Sequence, residues 1–89
     1  MITWDESKRR INLKKHKIDI AELDSAFDSP MVSEEDDREV YGEQRVQSLA
    51  FWRGRVLYMV WTDREECPHI ISCRYAEPSQ VKEYFSLFQ

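Results

Sequence analysis

Residues 45–75 read RVQSLAFWRGRVLYMVWTDREECPHIISCRY, and this stretch is rich in β-branched and aromatic residues. Its middle part, Val56 to Trp61, is a continuous apolar run, which is typical of a central strand covered on both faces. A looser alternating run, Arg45 to Trp52, precedes it, and Arg53-Gly54 between the two runs predicts a two-residue hairpin. A further strand is predicted from His69 to Tyr75. The stretch therefore indicates a largely antiparallel sheet.

The residues before this stretch predict one short strand and two helices. Ile2 to Trp4 has the composition of a strand, and Asp5 is a good N-cap for a helix whose last turn is rich in lysine. A second helix is predicted from Asp19 and must end before Pro30. The apolar face of this second helix recurs at positions i, i+3 and i+7, namely Ile20, Leu23 and Phe27.

The remaining segments complete the predicted fold. A short strand, Met31 to Ser33, precedes a mostly charged stretch, Glu34 to Glu39, which is typical of a solvated turn. Pro78 suits the first turn of a closing helix with the apolar residues Val81, Tyr84, Phe85 and Phe88. The predicted class is α+β: a curved antiparallel sheet packed by two N-terminal helices and one C-terminal helix, with residues 1–89 as a single domain.

Composition narrows the class of protein further. The chain has 89 residues, of which 42% are hydrophobic, and this is enough for one real core. It has no 18-residue apolar run and no signal-peptide pattern, so we expect a cytoplasmic protein without a membrane partner. Cys67 and Cys73 fit no metal or redox spacing, and we expect reduced thiols and no metal site.

Charge is unevenly distributed along the chain. The formal net charge is −4, yet residues 1–18 carry six bases against two acids, and residues 19–43 carry ten acids against Arg38. An acidic balance does not favour RNA binding overall, because phosphate neutralisation supplies most nucleic-acid affinity. A local basic patch can still bind a polyanion. The distribution predicts two surfaces with different partners.

Several motifs occur in one order over nearly the whole chain, and together they resemble the BrnT family of bacterial toxins. They are Trp4-Asp5-Glu6-x-Lys8-x-x-x-Asn12-x-x-Lys15-His16, Ala26-Phe27-Asp28, Tyr41-Gly42-Glu43-x-Arg45, Trp61-Thr62-Asp63-Arg64 and Ile70-Ile71-Ser72-x-Arg74-x-Ala76. The resemblance implies a fold similar to the RelE group of toxins and metal-independent RNA cleavage without a cofactor. It also implies tight association with a BrnA-like antitoxin, in a dimeric or heterotetrameric complex. The chain would contact operator DNA only through the antitoxin.

Two positions differ from the pattern common in that family. His69 stands where an arginine is usual, and Val81-Lys82 replaces a Glu-Arg pair of the last helix. Two hypotheses follow. The chain is a ribonuclease toxin, or it is a catalytically weak module that acts mainly as the partner of an antitoxin and a co-regulator of transcription.

Arg74 is the first candidate for a catalytic phosphate clamp, because a guanidinium forks onto two phosphate oxygens. Strict strand alternation puts Arg74 on the face of Ile70 and Ser72, and His69 on the opposite face. The alternative for Arg74 is a structural ion pair with a nearby glutamate, Glu77 or Glu83.

His16 and Arg45 are the other catalytic candidates. The unperturbed pKa of histidine, about 6.5, suits acid or base work near neutral pH. Asn12 lies one helical turn before His16 and either fixes its tautomer or forms part of a hydrogen-bonded brace under a loop. Arg45 either binds phosphate or pairs with the neighbouring Glu43.

Candidate RNA-binding residues lie in the first and last helices. Lys8 and Lys15 are two helical turns apart and share a face with Ile11 between them, so they form either a phosphate-binding stripe or a solvated face. Tyr84 either stacks on a base or packs in the core. The acidic run at residues 34–37 meets a basic segment of an antitoxin or is merely solvated.

Overall fold

The structure is a computed structural model that describes residues 1–38, 40 and 42–88, and in these residues five strands form one sheet. The elements in chain order are β1 (Thr3–Trp4), α1 (Glu6–His16), a 3-10 helix (Ile20–Asp28), β2 (Met31–Asp36), β3 (Arg45–Trp52), β4 (Arg55–Arg64), β5 (Cys67–Tyr75) and α2 (Pro78–Leu87). The strand order across the sheet is β1-β5-β4-β3-β2. The predicted α+β class is confirmed.

The sheet is mixed, so the prediction of a purely antiparallel sheet is wrong at one edge. β1 pairs with β5 in parallel, with Thr3 opposite His69 and Trp4 opposite Ile70. The other three neighbouring pairs are antiparallel. A parallel pair requires a long connection between its strands. Here that connection contains most of the chain, and a two-residue strand carries no pattern that reveals its partner.

The central position of β4 is confirmed. This strand lies between β3 and β5, and it is buried on both faces: Val56 and Val60 point to one side, Leu57 and Met59 to the other. The predicted hairpin is present as well. Arg53 and Gly54 have φ values of 48° and 82°, and positive φ at both positions is what a type I′ turn requires.

The second predicted helix begins where expected but is a 3-10 helix. Asp19 caps it by accepting a hydrogen bond from the backbone N–H of Ala21 at 3.0 Å. A 3-10 helix has three residues per turn, so side chains at i and i+3 lie on one face. Its buried residues follow that spacing, namely Ile20, Leu23 and Ala26. The α-helical type predicted here is therefore wrong, but Phe27, predicted on the apolar face, is partly buried and packs against the same core cluster.

β2 extends further than predicted, through Asp36, the third residue of the acidic run at residues 34–37. Its pairing with β3 continues until Asp36 lies opposite Arg45. The side chain of Asp36 is fully buried, and Arg38 Nε donates to its Oδ1 at 2.7 Å. This ion pair holds the pKa of Asp36 well below its usual range. The predicted turn at residues 34–39 is wrong for its first three residues, and Glu39 lies outside the described residues.

The two faces of the sheet bury separate clusters. The larger cluster joins the 3-10 helix to one face through residues that include Ile20, Leu23, Met59 and Ile70. The smaller cluster lies under α2, where Leu49, Val56 and Tyr84 pack together on the opposite face. In the part of the chain that the structure describes, no helix is long and apolar enough to span a lipid bilayer.

Candidate functional site

A bulge in β5 decides which side chains share the face of the sheet under α2. The pairing with β4 passes from Val60–Ser72 directly to Trp61–Ile70, so Ile71 is an extra residue on β5. A bulge resets the alternation of side chains along the strand. Nothing in the sequence indicates this extra residue. The faces predicted for His69 and Ile70 relative to Arg74 are therefore wrong.

Arg74 and His69 lie on the same face of the sheet, so the predicted placement of His69 on the opposite face is wrong, whereas Arg74 shares its face with Ser72 as predicted. Arg74 is opposite Tyr58 and His69 is opposite Thr62, two β4 residues that point to one side. Ile70, predicted to share the face of Arg74, lies instead in the larger core cluster. The face under α2 therefore collects two groups that strict alternation kept apart.

Arg74 is held in place mainly by neutral groups. Its guanidinium lies over the ring of Tyr58, 4.3 Å from the ring centroid. Its Nη1 donates to Gln80 Oε1 at 3.2 Å and to the carbonyl oxygen of Tyr75 at 3.1 Å. The expected alternative, an ion pair with Glu77, is present only at 4.0 Å, and the Glu77 side chain is 70% exposed. Much of the charge of Arg74 is therefore left for a ligand.

The predicted basic stripe of α1 borders a pocket. Lys8, Ile11 and Lys15 line a pocket of about 150 Å³ together with His16, and its opposite wall is the bulge of β5 at Ile71 and Ser72. The shared face of the two lysines is confirmed, and the structure adds the imidazole to the same pocket.

His16 lies within electrostatic reach of two of the candidate cations. Burial is the main cause that lowers its pKa below 6.5, and the positive charges of Lys15 and Arg74 lower it further. The imidazole is therefore predominantly neutral at pH 7. A neutral imidazole in a cationic pocket can accept a proton from a hydroxyl group.

Asn12 anchors α1 by hydrogen bonds to the segment that follows the helix and to β5. It is 4% exposed, its amide nitrogen donates to the carbonyl oxygen of Ile18 at 3.0 Å, and its Oδ1 accepts from the backbone N–H of Cys73 at 2.9 Å. Asn12 is therefore a hydrogen-bonded brace, with backbone groups of Ile18 and Cys73 as its partners. The apolar neighbours Ile11 and Leu13 are 62% and 41% exposed, so a buried amide anchors this helix where an apolar stripe usually does.

Arg45 lies on the same face as Arg74, at the end of the sheet where His69 is found. Its Nε is 3.7 Å from Glu43 Oε2, and the same carboxylate also pairs with Arg64 Nη2 at 3.0 Å. Arg64 is the main cause that holds the pKa of Glu43 below its usual value. The ion pair expected as one alternative for Arg45 is therefore present.

Tyr84 lies in the core. It is 3% exposed, its hydroxyl donates to the carbonyl oxygen of Pro30 at 2.9 Å, and its ring packs on Phe51 and Phe88. This burial agrees with the core interpretation and leaves the ring no open face for a base.

The two cysteines are free thiols, as expected. Burial raises the pKa of the Cys73 thiol to about 12, so this group is a poor nucleophile. Among residues 1–38, 40 and 42–88, no group of three or more His, Cys, Asp or Glu side chains is placed to hold a metal ion.

Tyr58 and Gln80 are the neighbours of Arg74 that sequence reasoning missed. Tyr58 was assigned only to an apolar strand, and its contact depends on the register of β4 against β5. Gln80 was one polar residue among several in α2. A capping-box pattern, with Glu77 three residues before Gln80, was the available signal.

Fold and site together define a class: a small α+β domain with cationic groups and a neutral imidazole along one edge of its sheet, an arrangement suited to a phosphodiester ligand. Comparison with known families then gives the particular family. The model of the family described as ribonuclease toxin, BrnT, of type II toxin-antitoxin system matches residues 4–80. The chain belongs to this family, which confirms the resemblance seen in its motifs. No curated protein matches the chain.

Proposed function

We propose that this chain is an endoribonuclease toxin whose RNA site lies along the α1–β5 edge of the sheet and the adjoining face. The observation that carries the proposal is the convergence of Lys8, Lys15 and His16 on one pocket, with Arg74 close enough to act on the imidazole. Membership of a ribonuclease toxin family supports the same function, and a fold similar to the RelE group would fit it.

In the proposed reaction, the 2′ oxygen of a nucleotide attacks the adjacent phosphorus while the bond from phosphorus to the 5′ oxygen breaks. His16 accepts the proton from the 2′ hydroxyl, and the leaving 5′ oxygen takes up a proton from solvent. Arg74 binds two non-bridging oxygens and stabilises their developing charge. The products are a 2′,3′-cyclic phosphate and a 5′ hydroxyl, and no step requires a metal ion.

The remaining cations bind flanking phosphates in this proposal. Lys8 and Lys15 lie on the wall of the pocket formed by α1, and Arg45 extends the same site across the sheet face. Tyr84 is left out because its ring is buried. RNA then follows the edge of the molecule and crosses onto the face under α2.

Cleavage of a labelled single-stranded RNA by the purified chain in the presence of EDTA tests the proposal. We expect cyclic phosphate ends, and a loss of about 10²–10³ in kcat for Arg74→Ala, the size seen when one transition-state donor is removed. Arg74→Lys should recover little, since an ammonium cannot fork. Lys14→Ala, at an exposed lysine of α1 outside the pocket lining, is the matched control. Cleavage by Arg74→Ala at the wild-type rate would refute the assigned site.

We also propose that a BrnA-like antitoxin neutralises the chain in the cytoplasm, in a dimeric or heterotetrameric complex that reaches operator DNA through the antitoxin. The family is one of type II systems, which implies an antitoxin partner. Glu34 and Glu35 are exposed on β2, an edge strand of the sheet, and complementary charge there would attract a basic antitoxin segment.

Charge reversal on β2 tests this contact. Glu34→Lys with Glu35→Lys should weaken the complex, whereas Glu66→Lys, in the exposed turn between β4 and β5, should leave it intact. Affinity can be measured by titrating labelled antitoxin at two salt concentrations. Equal affinity for both variants would place the antitoxin elsewhere. A stable complex formed by a wild-type chain that does not cleave RNA would favour the alternative function, a weakly active module that binds its partner.

A further inference from the structure

Gln80 joins two parts of the molecule through one oxygen atom. Its Oε1 accepts from the backbone N–H of Glu77 at 2.9 Å, which completes the capping box of α2, and from Arg74 Nη1 at 3.2 Å. The start of the last helix is thereby tied to the guanidinium at the end of β5.

Capping of α2 does not explain why residue 80 is a neutral glutamine and not a glutamate. A capping box accepts glutamate or glutamine at this position, and the positive end of the helix dipole favours the acid. A glutamate at position 80 would, however, form a charge-assisted pair with Arg74 and cancel its charge. A neutral amide fixes the guanidinium and leaves the charge intact.

The arrangement also leaves one edge of the guanidinium available. The two hydrogens of Nη1 are used by Gln80 and by the carbonyl oxygen of Tyr75. Among the residues that the structure describes, Nε and Nη2 of Arg74 have no hydrogen-bond acceptor, and Glu77 is 4.0 Å from Nη2. The edge formed by Nε and Nη2 is one of the two guanidinium edges that can fork onto two phosphate oxygens, and the other edge includes Nη1, whose hydrogens are used. The ring of Tyr58 supports the guanidinium from one face.

We infer that Gln80 is a positioning residue: it aims the Nε–Nη2 edge of Arg74 at the RNA phosphate and, by being neutral, preserves the charge of Arg74 for that phosphate. This inference rests on the proposed ribonuclease function. It assigns a role to a position for which the sequence motifs predicted none.

Gln80→Glu is the decisive variant, with Ser79→Glu as its matched control. Both add one negative charge to the first turn of α2, where Ser79 is exposed and Gln80 half-buried, but only position 80 contacts Arg74. We expect Gln80→Glu to unfold at or above the wild-type temperature, because the cap is kept. Its affinity for a non-cleavable 2′-O-methyl RNA, followed by fluorescence anisotropy, should fall about tenfold, the size expected for one charged hydrogen bond. Ser79→Glu should bind nearly as the wild type does.

A pH titration separates electrostatics from structure. Arg74 and the start of α2 should hold the pKa of a glutamate at position 80 below its usual value of about 4.3. As pH falls from 5 to 3, this carboxyl group takes up a proton, and the affinity of Gln80→Glu relative to wild type should recover. A purely structural defect would not recover. Tyr58→Leu, which removes the supporting ring, should also weaken binding, and Tyr58→Phe should restore it. This pair tests the positioning of Arg74 without relying on the stability of Gln80→Glu.

The outcomes distinguish the two proposals. If Arg74→Ala binds and cleaves RNA as the wild type does, the proposed function fails, and the role of Gln80 fails with it. If Arg74→Ala is defective but Gln80→Glu behaves like Ser79→Glu at every pH, the role of Gln80 is overturned and the proposed function stands.

Discussion

At the scale of single residues, the depressed pKa of His16 connects structure to a measurable pH profile. A histidine acts as a general base in its neutral form. Activity should therefore be lost as pH falls through the pKa of His16 in the folded protein, which lies below 6.5. Lys15 contributes to this lowering. Lys15→Gln removes a positive charge, raises the pKa of His16 and should therefore move the acidic limb of the kcat/KM profile, which reports the free enzyme, to higher pH.

The control for this prediction is Lys14→Gln, which changes the same charge on the same helix outside the pocket. Its acidic limb should stay at the wild-type position. His16→Ala should abolish the limb together with most of the activity. If the limb persists in His16→Ala, another group is the base and His16 is not.

At the scale of elements, α1 depends on a single buried amide. Asn12→Ala leaves the backbone N–H of Cys73 and the carbonyl of Ile18 without their partner, and each buried group left unpaired costs about 1–3 kcal/mol. Asn12→Asp keeps an acceptor for Cys73 but buries a carboxylate against the carbonyl oxygen of Ile18, so at pH 7 we expect a loss at least as large. Urea unfolding measures both. Equal stability of Asn12→Ala and wild type would show that the apolar contacts of α1 suffice.

The turn between β4 and β5 is a second place where a single element lowers the stability of the fold. Glu65 and Glu66 have φ values of 52° and 65°, a region that costs a residue with a side chain about 1–2 kcal/mol. Glu65→Asn with Glu66→Gly supplies the favoured type I′ pair. The net gain should be about 1 kcal/mol after the entropy cost of glycine, which raises Tm by about 4–8 °C in a domain of this size.

The control for the turn is Glu65→Gln with Glu66→Gln, which removes the adjacent like charges but keeps the backbone preference. We expect it to recover only a small part of the gain. If it matches the Asn-Gly variant in a thermal melt, charge repulsion and not backbone strain is the cost of this turn.

These two hairpins show why one turn could be predicted and the other could not. Arg53-Gly54 contains the residue that adopts positive φ most easily, so its position was readable. Glu65-Glu66 contains two residues that rarely occupy this region, and the sequence therefore predicted the next strand only from His69. The structure begins β5 at Cys67 and accommodates Pro68 inside the strand.

At the scale of the whole molecule, the separate parts of the site were predictable, but their assembly was not. Helical spacing alone put Lys8 and Lys15 on one face, and that was right. The positions of Arg74 and His69 depended on a bulge, and the parallel pairing of β1 depended on contacts across most of the chain. These features arise from tertiary packing and have no local residue pattern.

The uneven distribution of charge predicts how RNA affinity depends on salt concentration. The chain has a net charge of −4, yet its proposed RNA site is cationic, so binding should weaken steeply as salt rises. For single strands, the slope of log affinity against log salt is about 0.7 per phosphate neutralised. Lys8→Ala, Lys15→Ala and Arg74→Ala should each reduce the slope by about this amount, since each removes one phosphate contact.

Lys14→Ala and Glu35→Lys serve as controls for the salt experiment, since Glu35 lies on the face of the sheet opposite Arg74. Neither position lines the pocket beside α1, so the slope should stay at the wild-type value even though the net charge changes. If the slope changes with net charge in all variants, RNA affinity depends on the total charge of the molecule and not on a defined site. A slope that falls only for the three site residues would locate phosphate binding at the α1–β5 edge, because counterion release counts only the phosphates that the protein contacts.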